Sequence, residues 1–210
     1  MILREFCAEN LTALPQLQAG NVARVELCDN LAVGGTTPSY GVIKEACRLL
    51  HEKGISVAVM IRPRGGNFVY NDTELRVMEE DILQAVTLEA DALVFGILTI
   101  DNQIDREAIE QLLPATQGIP LVFHMAFDAI PAKEQFQALD QLVELGFTRI
   151  LLHGSKAEQP IHDNIEHLKA LNAYADQRIE LMIGGGVTAD NYQDLTAQTG
   201  ITQAHGTRIC

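Results

Sequence analysis

An α/β fold of (β/α)8 type, a closed barrel of parallel strands with helices outside it, is what this sequence predicts. Three observations lead there. Short β-branched apolar runs alternate with longer amphipathic stretches along the whole chain, eight such runs can be counted, and glycine recurs where a helix has to stop. Alternating β and α units imply a parallel sheet, and eight strands suit closure into a barrel. An open doubly wound sheet would use five or six strands and a phosphate fingerprint after the first, which is absent here. The 210 residues, 47% apolar, suffice for one sizeable core, so residues 1–210 read as a single domain.

The candidate strands are Leu3–Cys7, Arg24–Cys28, Val57–Ile61, Ala92–Phe95, Pro120–Phe123, Arg149–Leu152, Glu180–Ile183 and Ile201–Ala204. Helical periodicity fills 10–19, 39–53, 73–89, 105–113, 132–145, 162–172 and 188–197. Gly20, Gly54, Gly146 and Gly200 stand where a C-terminal glycine cap belongs. Too few residues follow the eighth strand for an eighth helix, so that helix is expected to be missing or incomplete. The uncovered flank beside strands one and eight predicts a homodimer or larger homo-oligomer.

Composition narrows the function. A formal charge of −13 disfavours nucleic acid and anionic membrane. The longest basic cluster, Arg62-Pro63-Arg64, is too short to track a phosphate backbone. No apolar run reaches the ~18 residues of a membrane span, and Met1–Glu5 has no signal-peptide pattern. Four cysteines, Cys7, Cys28, Cys47 and Cys210, do not look like a disulfide framework. The expectation is a cytoplasmic protein with reduced thiols.

Period-2 alternation identifies the lumen. Phe6, Val25, Leu27 and Phe123 should face the helices, which turns Glu5, Cys7, Glu26, Cys28, Val122 and His124 inward. Met60 and Arg62 share a parity, placing Arg62 at the upper rim. These residues cluster near the C-terminal strand ends, where barrels of this type carry their sites. Glu5, Glu26, Arg62 and His124 are therefore expected to form one polar cluster, with Arg64 and Asp101 on loops above. Two readings stand: an ion layer that fixes the core, or a site for which several kcal/mol of desolvation per ion is tolerated. As a site it suits a small anionic metabolite. Arg62 and Arg64 would hold the anion, Glu26 and His124 would exchange protons, and Asp128 would orient His124. Gly184-Gly185-Gly186, with the loop beginning at His205, either cradles a phosphate on backbone N–H groups or makes only a tight turn.

Several segments resemble the CutC copper-homeostasis family. They are Arg24–Ser39 (RVELCDNLAVGGTTPS), Ile61–Tyr70 (IRPRGGNFVY), Asp91–Thr99 (DALVFGILT) with Asp101, Phe123–Asp128 (FHMAFD) and Gly184–Val187 (GGGV). The resemblance runs in order over nearly the whole chain. It implies a cytoplasmic TIM-type barrel that binds copper. One departure stands out: the family usually has Arg where this chain has Met125, a position that alternation turns outward. The copper assignment falls most naturally on Cys7 and Cys28, which end neighbouring strands roughly 5 Å apart. Soft thiolates suit Cu(I). The alternative is that both cysteines are small, inert core residues.

Overall fold

The computed structural model describes residues 2–155 and 159–210. Eight parallel strands close into one barrel in sequence order. They are β1 (Leu3–Glu9), β2 (Arg24–Cys28), β3 (Ser56–Met60), β4 (Ala92–Phe95), β5 (Leu121–Phe123), β6 (Arg149–Leu152), β7 (Glu180–Ile183) and β8 (Gln203–Gly206). The ring closes where β1 pairs with β8, Leu3 opposite Gln203 and Glu5 opposite His205. Outside lie α1 (Tyr40–His51), α2 (Asp72–Thr87), α3 (Arg106–Leu112), α4 (Gln135–Glu144), α5 (Ile165–Ala175) and α6 (Tyr192–Thr199).

The helices start and stop where local chemistry dictates. Asn71 and Glu74 cap α2 reciprocally, each side chain accepting a backbone N–H of the other's turn. Gly200 ends α6 in the left-handed conformation, φ +74°, which costs glycine no Cβ clash. The first expected helix, 10–19, does not form. Only a 3-10 turn, Leu14–Gln16, stands there. Pro15 has no N–H to give and the stretch is short. The carbonyls of Leu14, Pro15 and Leu17 turn instead to the Lys53 ammonium at 2.6–3.1 Å. The fifth helix also starts later than expected, behind a 3-10 turn at Ile161–Asn164.

Two apolar layers hold the barrel. The larger lies between strands and helices and contains Val25, Leu27, Phe95, Phe123 and Phe147, with Phe6 partly buried against it. The rings of Phe95 and Phe123 pack on Phe147 at 5.3 and 5.5 Å. Each such fully buried side chain contributes roughly 1.5–3 kcal/mol. The smaller layer fills the lumen with Cys7, Cys28, Ala58, Met60, Ala92, Val94 and Val122. Strand alternation thus separates outer from inner side chains as the sequence implies. Beside β1 and β8, Ile209 is fully buried and Arg4 stacks on the Tyr192 ring at 5.5 Å. The large apolar side chains that stay exposed, Val33, Tyr40, Val77, Leu83, Ile100 and Tyr174, lie elsewhere.

Candidate functional site

A column of polar side chains climbs the lumen along β8, β1 and β2. At its base the Arg24 guanidinium donates to Gln203 Oε1 at 2.9 Å and to the Glu5 carboxylate. Glu5 Oε1 then meets His205 Nδ1 at 2.8 Å. The far side of the imidazole, Nε2, lies 3.7 Å from Glu26 Oε2. The sulfurs of Cys7 and Cys28 each lie 3.5 Å from that same oxygen. The strand register dictates this stacking, because Glu5 sits opposite Arg24 and Cys7 opposite Glu26. All seven side chains are buried, Cys7 and His205 the most accessible at 7%.

Burial alone would push the Glu5 carboxyl up, but Arg24 and His205 outweigh it and hold it down at about 2. His205 is raised well above the usual imidazole value because Glu26, Cys7 and Glu5 overcome its desolvation. The Cys28 thiol hydrogen-bonds to the Cys7 sulfur, and with His205 it brings Cys7 down to about 5 against the cost of burial. Burial pushes Glu26 up to about 8 despite His205. Cys28, donating to Cys7 and buried, is raised well above an ordinary thiol. The charge balance explains the pattern. Arg24 neutralises Glu5, so the His205 cation supports one further negative charge, for which Cys7 and Glu26 compete. The thiol is accordingly pushed down and the carboxyl pushed up.

The top of the column opens into a cavity of about 290 Å³ at the C-terminal mouth, whose walls include Cys7, Glu26, His205, His124, Met125 and Arg208. His124 follows β5 and lies under the Phe68 ring, centroids 4.9 Å apart. Its Nδ1 accepts the Ala126 N–H at 3.2 Å. Burial, with Arg62 nearby, pushes it down to about 3, so the ring is neutral. Its Nε2 and Glu26 Oε1 are buried with no hydrogen-bond partner among the described residues.

The expected cluster of four therefore divides. Glu5 and Glu26 join the column, while His124 stands apart on the cavity wall. Arg62 does not reach either carboxylate. Its guanidinium donates to the carbonyls of Val33, Gly35 and Gly66 at 2.8–2.9 Å and lies over Phe68, tying two mouth loops together. Arg62 lies beyond the end of β3 at Met60, where strand parity no longer governs direction. Arg64 pairs with Glu74 at 2.5 Å and donates to Val69 O, so it too is engaged within its loop. Asp101 sits on an exposed turn. Asp128 does not touch His124. Its carboxylate accepts the N–H groups of His153 and Gly154 at 2.8–3.0 Å, clasping the end of β6. Met125 lines the cavity rather than facing outward, because β5 ends at Phe123 and a 3-10 turn begins at Met125.

Of the three glycines that follow β7, Gly185 and Gly186 line the cavity. Gly185 has φ +76°, and a Cβ there would come within 2.7 Å of His153 Nδ1. His153 itself contacts the Gly184 carbonyl at 3.0 Å and fixes this loop from outside. Sequence reasoning passed over Arg24, Gln203 and His153. Arg24 shares the parity of Glu26 and so was within reach of the alternation argument. His205 was expected only as a loop residue; β8 runs on to Gly206 and makes it a lumen residue.

For a metal ion, one sulfur of Cys7, one nitrogen of His205 and one oxygen of Glu26 all lie within 4.8 Å of one another. Metal–ligand bonds of ~2.0–2.3 Å put donor atoms up to about 4.6 Å apart, so the three donors fit one ion. Cys28, 3.5 Å from the same Glu26 oxygen, is a fourth candidate.

Comparison with known proteins agrees with this architecture. The family model described as the CutC family matches residues 2–210. The chain belongs to the CutC family. A CutC family protein of Streptococcus pyogenes is 69% identical over 99% of this chain and 100% of its own. A human relative described as a copper homeostasis protein cutC homolog is 39% identical, covering 97% of this chain and 72% of its own length. A crystal structure of a CutC protein from Streptococcus agalactiae superposes with TM-score 0.99 at 74% identity, covering all of both chains. A deoxyribose phosphate aldolase from Aeropyrum pernix, 10% identical at TM-score 0.72, covers 97% of this chain and 85% of its own and shares the barrel fold. Membership links the chain to copper homeostasis, and no helix among the described residues is long and apolar enough to cross a membrane.

Proposed function

We propose that the protein binds copper as Cu(I) at the top of the lumen column and acts in cytoplasmic copper buffering or transfer. The supporting observation is the buried donor group of Cys7, His205 and Glu26 at the floor of an open cavity. Cys7 is the principal ligand: a low-pKa thiolate is the form that binds soft metals. His205 Nε2 and the Cys28 sulfur complete a two- or three-coordinate site once the ion displaces their protons. Glu26 is the weakest donor, since a carboxylate is a hard ligand for Cu(I). All four cysteines are free thiols, which accords with a reducing compartment.

The test is competition for Cu(I) against bicinchoninate under anaerobic conditions. Cys7→Ser and His205→Asn should each weaken binding at least tenfold. Cys47→Ser should match wild type, because Cys47 is buried in α1 away from the column. Equal affinity in Cys7→Ser and wild type would remove copper from this site.

A further inference from the structure

The copper reading leaves the upper half of the cavity without a role. Above walls that include Leu31, Met60, Phe68 and Leu151, its rim carries hydrogen-bond donors. Gly185, Gly186 and Val187 line it, and their backbone N–H groups make no hydrogen bond among the described residues. Beside them the loop after β8 brings Thr207 and the exposed Arg208, whose guanidinium has no partner among the described residues. The two loops are laced together. Ala189 N–H donates to Arg208 O at 2.7 Å, and Gly206 lies against Val187 O so closely that a Cβ there would clash. Backbone N–H groups beside one guanidinium form a receptor for a compact oxyanion.

A second, independent observation lies across the same cavity. His124 is 4% exposed and its Nδ1 is already an acceptor for Ala126 N–H, so the proton of the neutral ring sits on Nε2. That N–H lacks a partner, and a buried donor left unpaired costs about 1–3 kcal/mol. It calls for an acceptor, which a ligand oxygen in the cavity would supply. The cavity's 290 Å³ lies just under the ~300–1,000 Å³ of sites for drug-sized ligands, which suits a metabolite of a few carbons.

We propose that the mouth cavity binds a small phosphorylated metabolite, its phosphate on Gly186, Val187 and Arg208 and a carbonyl or hydroxyl oxygen on His124 Nε2–H. This site is separate from the copper ligands, and the two share only the cavity. The earlier candidates for the anion, Arg62 and Arg64, are engaged within their own loops; Arg208 takes that part.

The experiment is calorimetric titration of the metal-free protein, in EDTA, with two probes: inorganic phosphate, and dihydroxyacetone phosphate, which adds a carbonyl oxygen. Both should bind, the second about tenfold more tightly. Arg208→Gln should weaken both about tenfold, and as an exposed substitution it leaves the fold alone. His124→Asn keeps an acceptor for Ala126 N–H in the place of Nδ1 and withdraws Nε2–H. It should bring dihydroxyacetone phosphate down to the affinity of inorganic phosphate and leave the latter unchanged. Arg208→Gln should compete for Cu(I) as wild type does, which distinguishes this site from the copper site. No saturable binding of either probe at millimolar concentration overturns the proposal, as does binding that Arg208→Gln leaves unchanged.

Discussion

Replacing His205 by Asn tests whether the imidazolium prepares Cys7 as a thiolate. Asn is the informative choice, because its amide N–H can still reach Glu5 Oε1 where Nδ1 now sits at 2.8 Å, while the Nε2 end is lost. The Cys7 sulfur lies within 4.8 Å of a His205 nitrogen. At that separation, with an effective dielectric of about 20, opposite unit charges attract by about 3.5 kcal/mol. At 1.36 kcal/mol per pH unit this is about two and a half units. Cys7, now held at about 5, should therefore rise above 7 in His205→Asn. The assay is thiolate absorbance near 240 nm against pH, read in a background carrying Cys47→Ser and Cys210→Ser. Loss of the Cys7 thiolate also has a sign in stability. A thiol depressed in the folded state stabilises it above the unfolded value and loses that contribution as pH falls through 5. The wild-type protein should thus gain stability between pH 5 and 9, and His205→Asn should gain less. A Cys7 titration unmoved by the substitution would show that Cys28 alone sets it and would refute the charge balance described above.

Two further substitutions probe the supports of the site. Arg24→Met strands the Glu5 carboxylate in the lumen and should cost about 3–5 kcal/mol in urea unfolding. Adding Glu5→Gln should recover part of the loss. Because Glu5 is depressed from 4.5 to about 2, its contribution is complete above pH 4.5 and disappears as pH falls through 2, so Glu5→Gln should flatten acid unfolding over that window. Arg62→Met should loosen the mouth without unfolding the barrel. Hydrogen exchange should accelerate across residues 33–37 and 64–68 while the strands stay protected, whereas global unfolding would assign Arg62 to the core instead.

The barrel was legible because its signals are local. Eight β-branched runs, the 3.6-residue periodicity of α1 and α2 and the glycine stop at Gly200 each report on a few neighbouring residues, and they agree. The failures are local too. The 10–19 stretch has the apolar spacing of a helix, but Pro15 and its short length deny it the hydrogen bonds, and Lys53 caps the carbonyls from the turn after α1. The last strand is expected at Ile201–Ala204, but it runs from Gln203 to Gly206 and carries the polar Gln203 and His205. Their polarity has a non-local cause: both face the lumen, against Arg24 and Glu5.

The site divides along the same line. Alternation turned Glu5, Cys7, Glu26 and Cys28 inward correctly, because all four lie within strands whose outer faces are apolar. It placed Arg62 and Met125 poorly, since each stands just past a strand end where loop geometry takes over. What sequence parity does not convey is the charge count. Arg24 and Glu5 cancel, and His205 supports one anion for which Cys7 and Glu26 compete, so the buried column is close to neutral. That neutrality offsets the desolvation that a lumen full of ions would otherwise cost. On the copper reading it also has a chemical use. Cu(I) carries the same single charge as a proton, so in the two-coordinate form, held by Cys7 and Cys28 with His205 still protonated, an ion that takes the place of the Cys28 proton leaves the charge of the column unchanged. A divalent ion in that place adds one uncompensated positive charge until Glu26 also ionises, and this difference favours the monovalent soft metal.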